Sequence, residues 1–187
     1  MSDKQLANRQ PNNQLANLQK VLVVQFPGVE VGLVEAAIAI LQQEKPNLSL
    51  QRLLVKEDDG FNTSYVLPGE IPLSIHDNLP QVTIQWIREQ QVDAGVMLTS
   101  QEHSFPDTQR ESPYTWAYRC YLAGVPIRIG ISQEFGGQVL SHCIAPPNPD
   151  IPNPYLYLFQ TCGLLSKSSI ASTINSSINS SIDSSAV

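Results

Sequence analysis

Charge is sparse in this 187-residue chain: charged residues make up 15%, and 11 Lys and Arg against 17 Asp and Glu leave a formal net charge of -6. A nucleic-acid or anionic-membrane binder needs a basic footprint to displace counterions, and no cluster of Lys or Arg supplies one. Cysteine is scarce too. Cys120, Cys143 and Cys162 are widely separated, with no Cys-x-x-Cys pair and no histidine at metal-ligand spacing. They read as free thiols of a reducing compartment. No run approaches the roughly 20 apolar residues of a membrane span, and the N-terminus lacks the apolar stretch of a signal peptide. The expectation is a cytoplasmic protein with no transmembrane segment and no nucleic-acid partner. Gly-x-Ser-x-Gly, His-Glu-x-x-His and Walker motifs are missing as well, so serine hydrolase, zinc protease and P-loop chemistry have no positive support.

What is present is enough apolar material, 42% of residues, for one core-bearing domain. Residues 1–19 are polar and contain the near-repeat Gln5-Leu6-Ala7-Asn8 and Gln14-Leu15-Ala16-Asn17, which reads as a loose leader. Residues 166–187 form a Ser/Asn-rich tail in which Ile170, Ile174, Ile178 and Ile182 stand four apart. That spacing suits one helical face, but Ser, Asn and Thr are poor helix formers, and a disordered tail is the expectation.

Between them, residues 20–165 alternate in character. Val21-Leu22-Val23-Val24-Gln25-Phe26 is the continuous apolar run of a strand buried on both faces. Pro27-Gly28 breaks it, and Val31, Val34, Ile38 and Leu41 then recur at helical spacing until Pro46. Residues 48–55 read as a second strand, completing a β-α-β unit. Residues 56–78 carry turn chemistry around short apolar pieces and mark either a functional loop or a short unassigned element. A helix with Val82, Ile84, Trp86 and Ile87, capped by Asp77 or Asn78, leads to a third strand over residues 92–99. Ser112-Pro113 opens a further helix that Gly124 ends, and residues 125–131 give a fourth strand. A short apolar segment, residues 155–165, closes the domain. This alternation is the pattern of a single-domain, Rossmann-like, doubly wound α/β fold with a mostly parallel sheet.

Such folds bind ligands beyond the carboxyl ends of their strands, which selects three loops. The first, around Gly28 and Glu30, leads into a helix N-terminus suited to an anion; Glu30 reads equally as a solvated acid that favours the helix start. The second follows the third strand and contains Ser100 and His103; the histidine can serve an acceptor hydroxyl or phosphate, or be an exposed loop residue without a role. The third is Ser132-Gln133-Glu134-Phe135-Gly136-Gly137, where paired glycines point to positive φ or a close backbone approach. Ser132, Glu134 and Gly136 are its contact candidates, and a tight turn with Phe135 packed inward is the structural alternative. His142, further on, is a candidate for a hydrogen bond within the fold.

The same region carries a resemblance. Tyr121-Leu122-Ala123-Gly124-Val125-Pro126, Arg128, Gly130, Ser132, Glu134-Phe135-Gly136-Gly137 and Leu140-Ser141-His142 resemble a run in the N-terminal domain of glycosyltransferase family 9, the heptosyltransferase-like enzymes. Residues 153–163 resemble the helix leading out of that domain. The resemblance implies half of a GT-B architecture, the half that binds the sugar acceptor, with no cofactor of its own. The sugar nucleotide would be held by a separate donor-binding domain or chain, and the anomeric centre would invert as the acceptor hydroxyl attacks. In the family a Gly-Asp pair opens the first helix, and its aspartate is held to be the base that removes the acceptor proton. Here that pair falls on Glu30-Val31, so the only carboxylate offered is Glu30, one residue and about 100 degrees of helical rotation away. With no donor domain in these residues, the chain alone is expected to be inactive: a split half, a truncated remnant, or a reused domain. A non-catalytic binding or scaffold module is the alternative, and a flavodoxin-like nucleotide binder a third.

Overall fold

β1 (Lys20–Gln25) is the centre of the molecule, and its residues 21–25 are all buried. The run has apolar side chains on both faces because helices cover the sheet on both sides. The computed structural model describes residues 15–57, 63–66, 79–100, 112–132 and 138–166. After β1 come α1 (Val31–Glu44), β2 (Ser49–Glu57), β3 (Thr63–Val66), α2 (Leu79–Gln90), β4 (Ala94–Leu98), α3 (Pro113–Leu122), β5 (Ile127–Ile131), β6 (His142–Ile144) and α4 (Pro154–Thr161). The strands form one sheet in the order β3-β2-β1-β4-β5-β6. β2, β1, β4, β5 and β6 run parallel, and β3 adds an antiparallel edge beside β2. The fold is a single-domain α/β fold of Rossmann-like type.

Alternate residues along β1 enter two different cores. Val21 and Val23 pack with Val34, Ala37, Ile38 and Leu41 of α1 and with Tyr155, Leu158 and Phe159 of α4. Leu22 and Val24 face the other way, toward Ile87 of α2 and Trp116, Ala117 and Cys120 of α3. Each fully buried large apolar side chain contributes about 1.5–3 kcal/mol by leaving water. Close packing is tightest where α3 crosses β4: a Cβ added at Gly95 would stand 3.0 Å from the Cys120 sulfur.

Local signals place the ends of α3. The Ser112 hydroxyl accepts from the Thr115 amide at 3.1 Å, and Pro113 occupies the first helical position. Gly124 has φ 88°, and the amides of Gly124 and Val125 return to the carbonyls of Tyr121 and Cys120, closing the helix with a left-handed residue.

Several sequence expectations meet a different arrangement. The stretch over residues 56–78 contains β3, whose four residues were too short to stand out among turn signals. β6 arises where the sequence reading assigned no element, because backbone pairing with β5, not apolar content, defines its three residues. Val31 belongs to the helical repeat by spacing yet is 57% exposed, since the first residue of α1 projects beyond the sheet. The leader is not loose throughout: residues 15–17 form a 3-10 turn, Leu15 is buried against the α1 and α4 core, and the Lys45 ammonium donates to its carbonyl at 3.0 Å. Asp93 clips the entry to β1 by accepting from the amides of Gln19 and Lys20, both at 2.8 Å. At the other end, the Ser166 amide donates to the Glu44 carboxylate at 2.7 Å. The expected tail beyond residue 166 and the cap at Asp77 or Asn78 lie outside the described residues.

Candidate functional site

The five parallel strands send their carboxyl ends to one edge, and chain order reverses there between β1 and β4. A crevice opens at such a reversal because the loops after the two strands leave in opposite directions. The last rung between them is the Phe26 amide bonded to the Leu98 carbonyl at 3.0 Å. Beyond it lie the loop with Gly28 and Glu30 and, alongside, Thr99 and Ser100.

Gly28 has φ 77°, the left-handed conformation that turns the chain from β1 toward α1. Glu30 is the N-cap of α1 in extended conformation (φ -72°, ψ 107°), and its side chain makes no capping hydrogen bond. The residue is exposed and immediately precedes the first turn of α1, whose leading amides have no partner within the helix. Ser100 is half-buried at the start of the loop after β4. Gly28, Glu30 and Ser100 therefore share one edge, as the sequence predicts. His103, Glu134 and Gly136 lie outside the described residues.

Ser132, at the end of β5, belongs to the same edge but is buried. Its hydroxyl lies 2.9 Å from the Tyr114 hydroxyl, and its amide donates to the Ile144 carbonyl at 3.0 Å. The pair ties the start of α3 to the end of β5. His142 opens the edge strand β6, paired with Ile129 at mid-height of the sheet and separated from β1 by β4 and β5, and its Nδ1 lies 3.0 Å from the Ser141 hydroxyl. Burial, with the Arg128 guanidinium adding to it, holds its imidazole below the ordinary value of 6.5. It is a hydrogen-bonded residue of the fold, remote from the crevice.

Structure adds residues that sequence spacing does not reveal. Tyr155 of α4 is buried, and its phenol is hydrogen-bonded to the Glu30 backbone. Burial pushes the pKa of that phenol above its ordinary value of 10.0, the backbone bond opposes the rise, and the nearby Glu30 charge adds to it. Asn153 caps α4 through the amides of Tyr155 and Leu156 and donates to the Leu33 carbonyl at 2.9 Å. The start of α4 thus holds the start of α1, where Glu30 stands. Gln25, the last residue of β1, is buried and accepts from Arg52 Nη2 at 3.0 Å, while Arg52 Nη1 pairs with Glu35. An Asn-Pro pair before an apolar helix was the only sequence hint of the first contact, and β1 pairing with β2 creates the second.

The edge offers the exposed Glu30 carboxylate, the half-buried Ser100 and a helix N-terminus, and a carboxylate can accept a hydrogen bond from a hydroxyl and take a proton from it. Among the described residues no group of three or more His, Cys, Asp or Glu can hold a metal ion, and no helix is long and apolar enough to cross a membrane. No family model, curated protein or solved structure matches this chain.

Proposed function

We propose that this chain is the acceptor-binding half of an inverting, sugar-nucleotide-dependent glycosyltransferase of the heptosyltransferase-like type. The observation that carries the reading is Glu30: an exposed carboxylate, not engaged as a helix cap, at the crevice between β1 and β4. In that place a carboxylate can accept the proton of an acceptor hydroxyl while the hydroxyl oxygen attacks the anomeric carbon and the nucleoside diphosphate leaves. Gly28 and the amides that open α1 line the acceptor side, and Ser100 borders it. The donor is held by residues outside this domain, so the chain alone has no transferase activity. The resemblance over residues 117–163 supports this assignment, and the α/β fold with its crevice is compatible with it.

One observation favours a second reading, a non-catalytic binding module built on the same fold. Where the resembled family places its aspartate, this chain has Val31, exposed and without a polar atom on its side chain. The two readings separate in one assay: release of nucleoside diphosphate from sugar nucleotides by this chain mixed with a candidate donor-binding half. Turnover that requires both chains and is lost in Glu30→Gln establishes the transferase. Absence of turnover in every mixture leaves the binding module.

A further inference from the structure

A different surface, at the opposite end of the sheet, carries an inference independent of that reading. Among the described residues four large apolar side chains are exposed, and three of them, Tyr118 (50%), Tyr121 (56%) and Leu122 (41%), lie on α3. Spacings of three and four residues put them on one face of the helix. Tyr118 and Tyr121 stack with ring centroids 6.2 Å apart, which fixes both rings as a platform.

Two guanidinium groups rim this platform. Arg128 lies 5.3 Å from the centre of the Tyr121 ring, and its Nε and Nη1 donate to the carbonyls of Val139 and Val125, both at 2.7 Å. Arg88 reaches across from α2 to donate to the Leu122 carbonyl at 3.0 Å and to Gln85 Oε1 at 3.4 Å. These partners are all neutral oxygens, and among the described residues neither arginine forms a salt bridge with a carboxylate. On a chain of net charge -6 this is a local positive rim around exposed aromatics.

Tyrosine and arginine are the residues that concentrate binding energy at protein interfaces, because they bury much area with little loss of side-chain freedom. The charge selects the occupant. A second copy docked about a two-fold axis would pair this face with itself, and none of Tyr118, Tyr121, Leu122, Arg88 and Arg128 supplies a carboxylate for the arginines; two arginines are too few for nucleic acid or an anionic membrane. A segment with carboxylates beside Leu, Phe or Trp satisfies both parts of the patch. We propose that the outer face of α3, formed by Tyr118, Tyr121 and Leu122 and rimmed by Arg88 and Arg128, docks an acidic segment of another protein that carries apolar side chains.

The test is selection of short peptides from a displayed random library on the full chain, followed by affinity measurements on synthetic copies. The expected peptides combine Asp or Glu with large apolar residues, bind more weakly as salt is raised, and lose about tenfold in affinity to Tyr121→Ala and to Arg88→Gln. Both positions are on the surface; circular dichroism and Tyr118→Ser, which leaves the Arg128 contact in place, separate loss of the surface from loss of the fold. No selected peptide, peptides without carboxylates, or unchanged affinity in the folded variants would each overturn the proposal. A dimer of the chain that Tyr118→Ser dissociates would also overturn it, by giving the face to a second copy.

Discussion

Helices usually open on a short polar side chain that accepts a backbone amide, and Glu30 occupies that position without doing so. A side chain that leaves this cap unmade is free to serve the crevice. Replacing it by Ser should supply the missing cap and raise stability by up to about 1 kcal/mol, read as a higher midpoint in urea denaturation. A lower midpoint would mean that the carboxylate supports the fold through contacts of its own. The cysteines differ sharply at this scale. Burial pushes the Cys120 thiol up to about 12 and the Cys162 thiol to about 11, whereas Cys143 is exposed. At neutral pH a thiol reagent should modify Cys143 in the folded protein and reach the other two only on unfolding, as peptide mapping would show. His142 gives a pH dependence. Its folded value is below 6.5, so the unfolded chain binds the proton first as pH falls. The contribution is complete above about pH 6.5 and is lost below it. Thermal midpoints measured from pH 7.5 to 5.5 should therefore fall more in the wild type than in His142→Gln; equal slopes would remove His142 from the balance.

At the scale of elements, what could be read from sequence and what could not divide along a physical line. β1, α1, α3 and β5 were legible because each announces itself locally: an unbroken apolar run, a helical repeat, Ser112-Pro113 at one helix end and Gly124 at the other. β3 and β6 were not, since these edge strands of four and three residues are defined by backbone pairing with a neighbour and carry no apolar pattern of their own. The same holds for the site. Gly28, Glu30 and Ser100 were predictable as loop residues at one sheet edge, whereas the hold of Tyr155 and Asn153 on the start of α1 comes from a helix more than a hundred residues later. The burial of Leu15 was hidden for that reason too. Caps give the sharpest test of element stability. Gly124→Ala forces a side chain into φ 88° and should cost about 1–2 kcal/mol, although open space surrounds the added methyl group. Gly95→Ala has an ordinary backbone but meets the Cys120 sulfur, and it should destabilise by about 1–3 kcal/mol through overpacking of α3 on β4. Denaturant midpoints of the two variants, with unchanged dependence on denaturant, would check both; no loss in Gly95→Ala would show that α3 can shift away from the sheet.

For the whole molecule, the two cores and the central sheet form one rigid layer between a crevice at the carboxyl ends and an aromatic platform on α3 toward the other end. We propose a hydroxylated acceptor for the first surface and an acidic protein segment for the second, and the two proposals are tested independently. The measurement that bears most directly on the central reading is nucleoside diphosphate release from sugar nucleotides, with cell-extract acceptors, by this chain alone and with a candidate donor-binding half. Turnover only in the mixture, abolished by Glu30→Gln and kept by Tyr121→Ala, is the predicted result. Turnover that survives Glu30→Gln would contradict the role given to Glu30, and no turnover in any mixture would contradict the transferase reading itself.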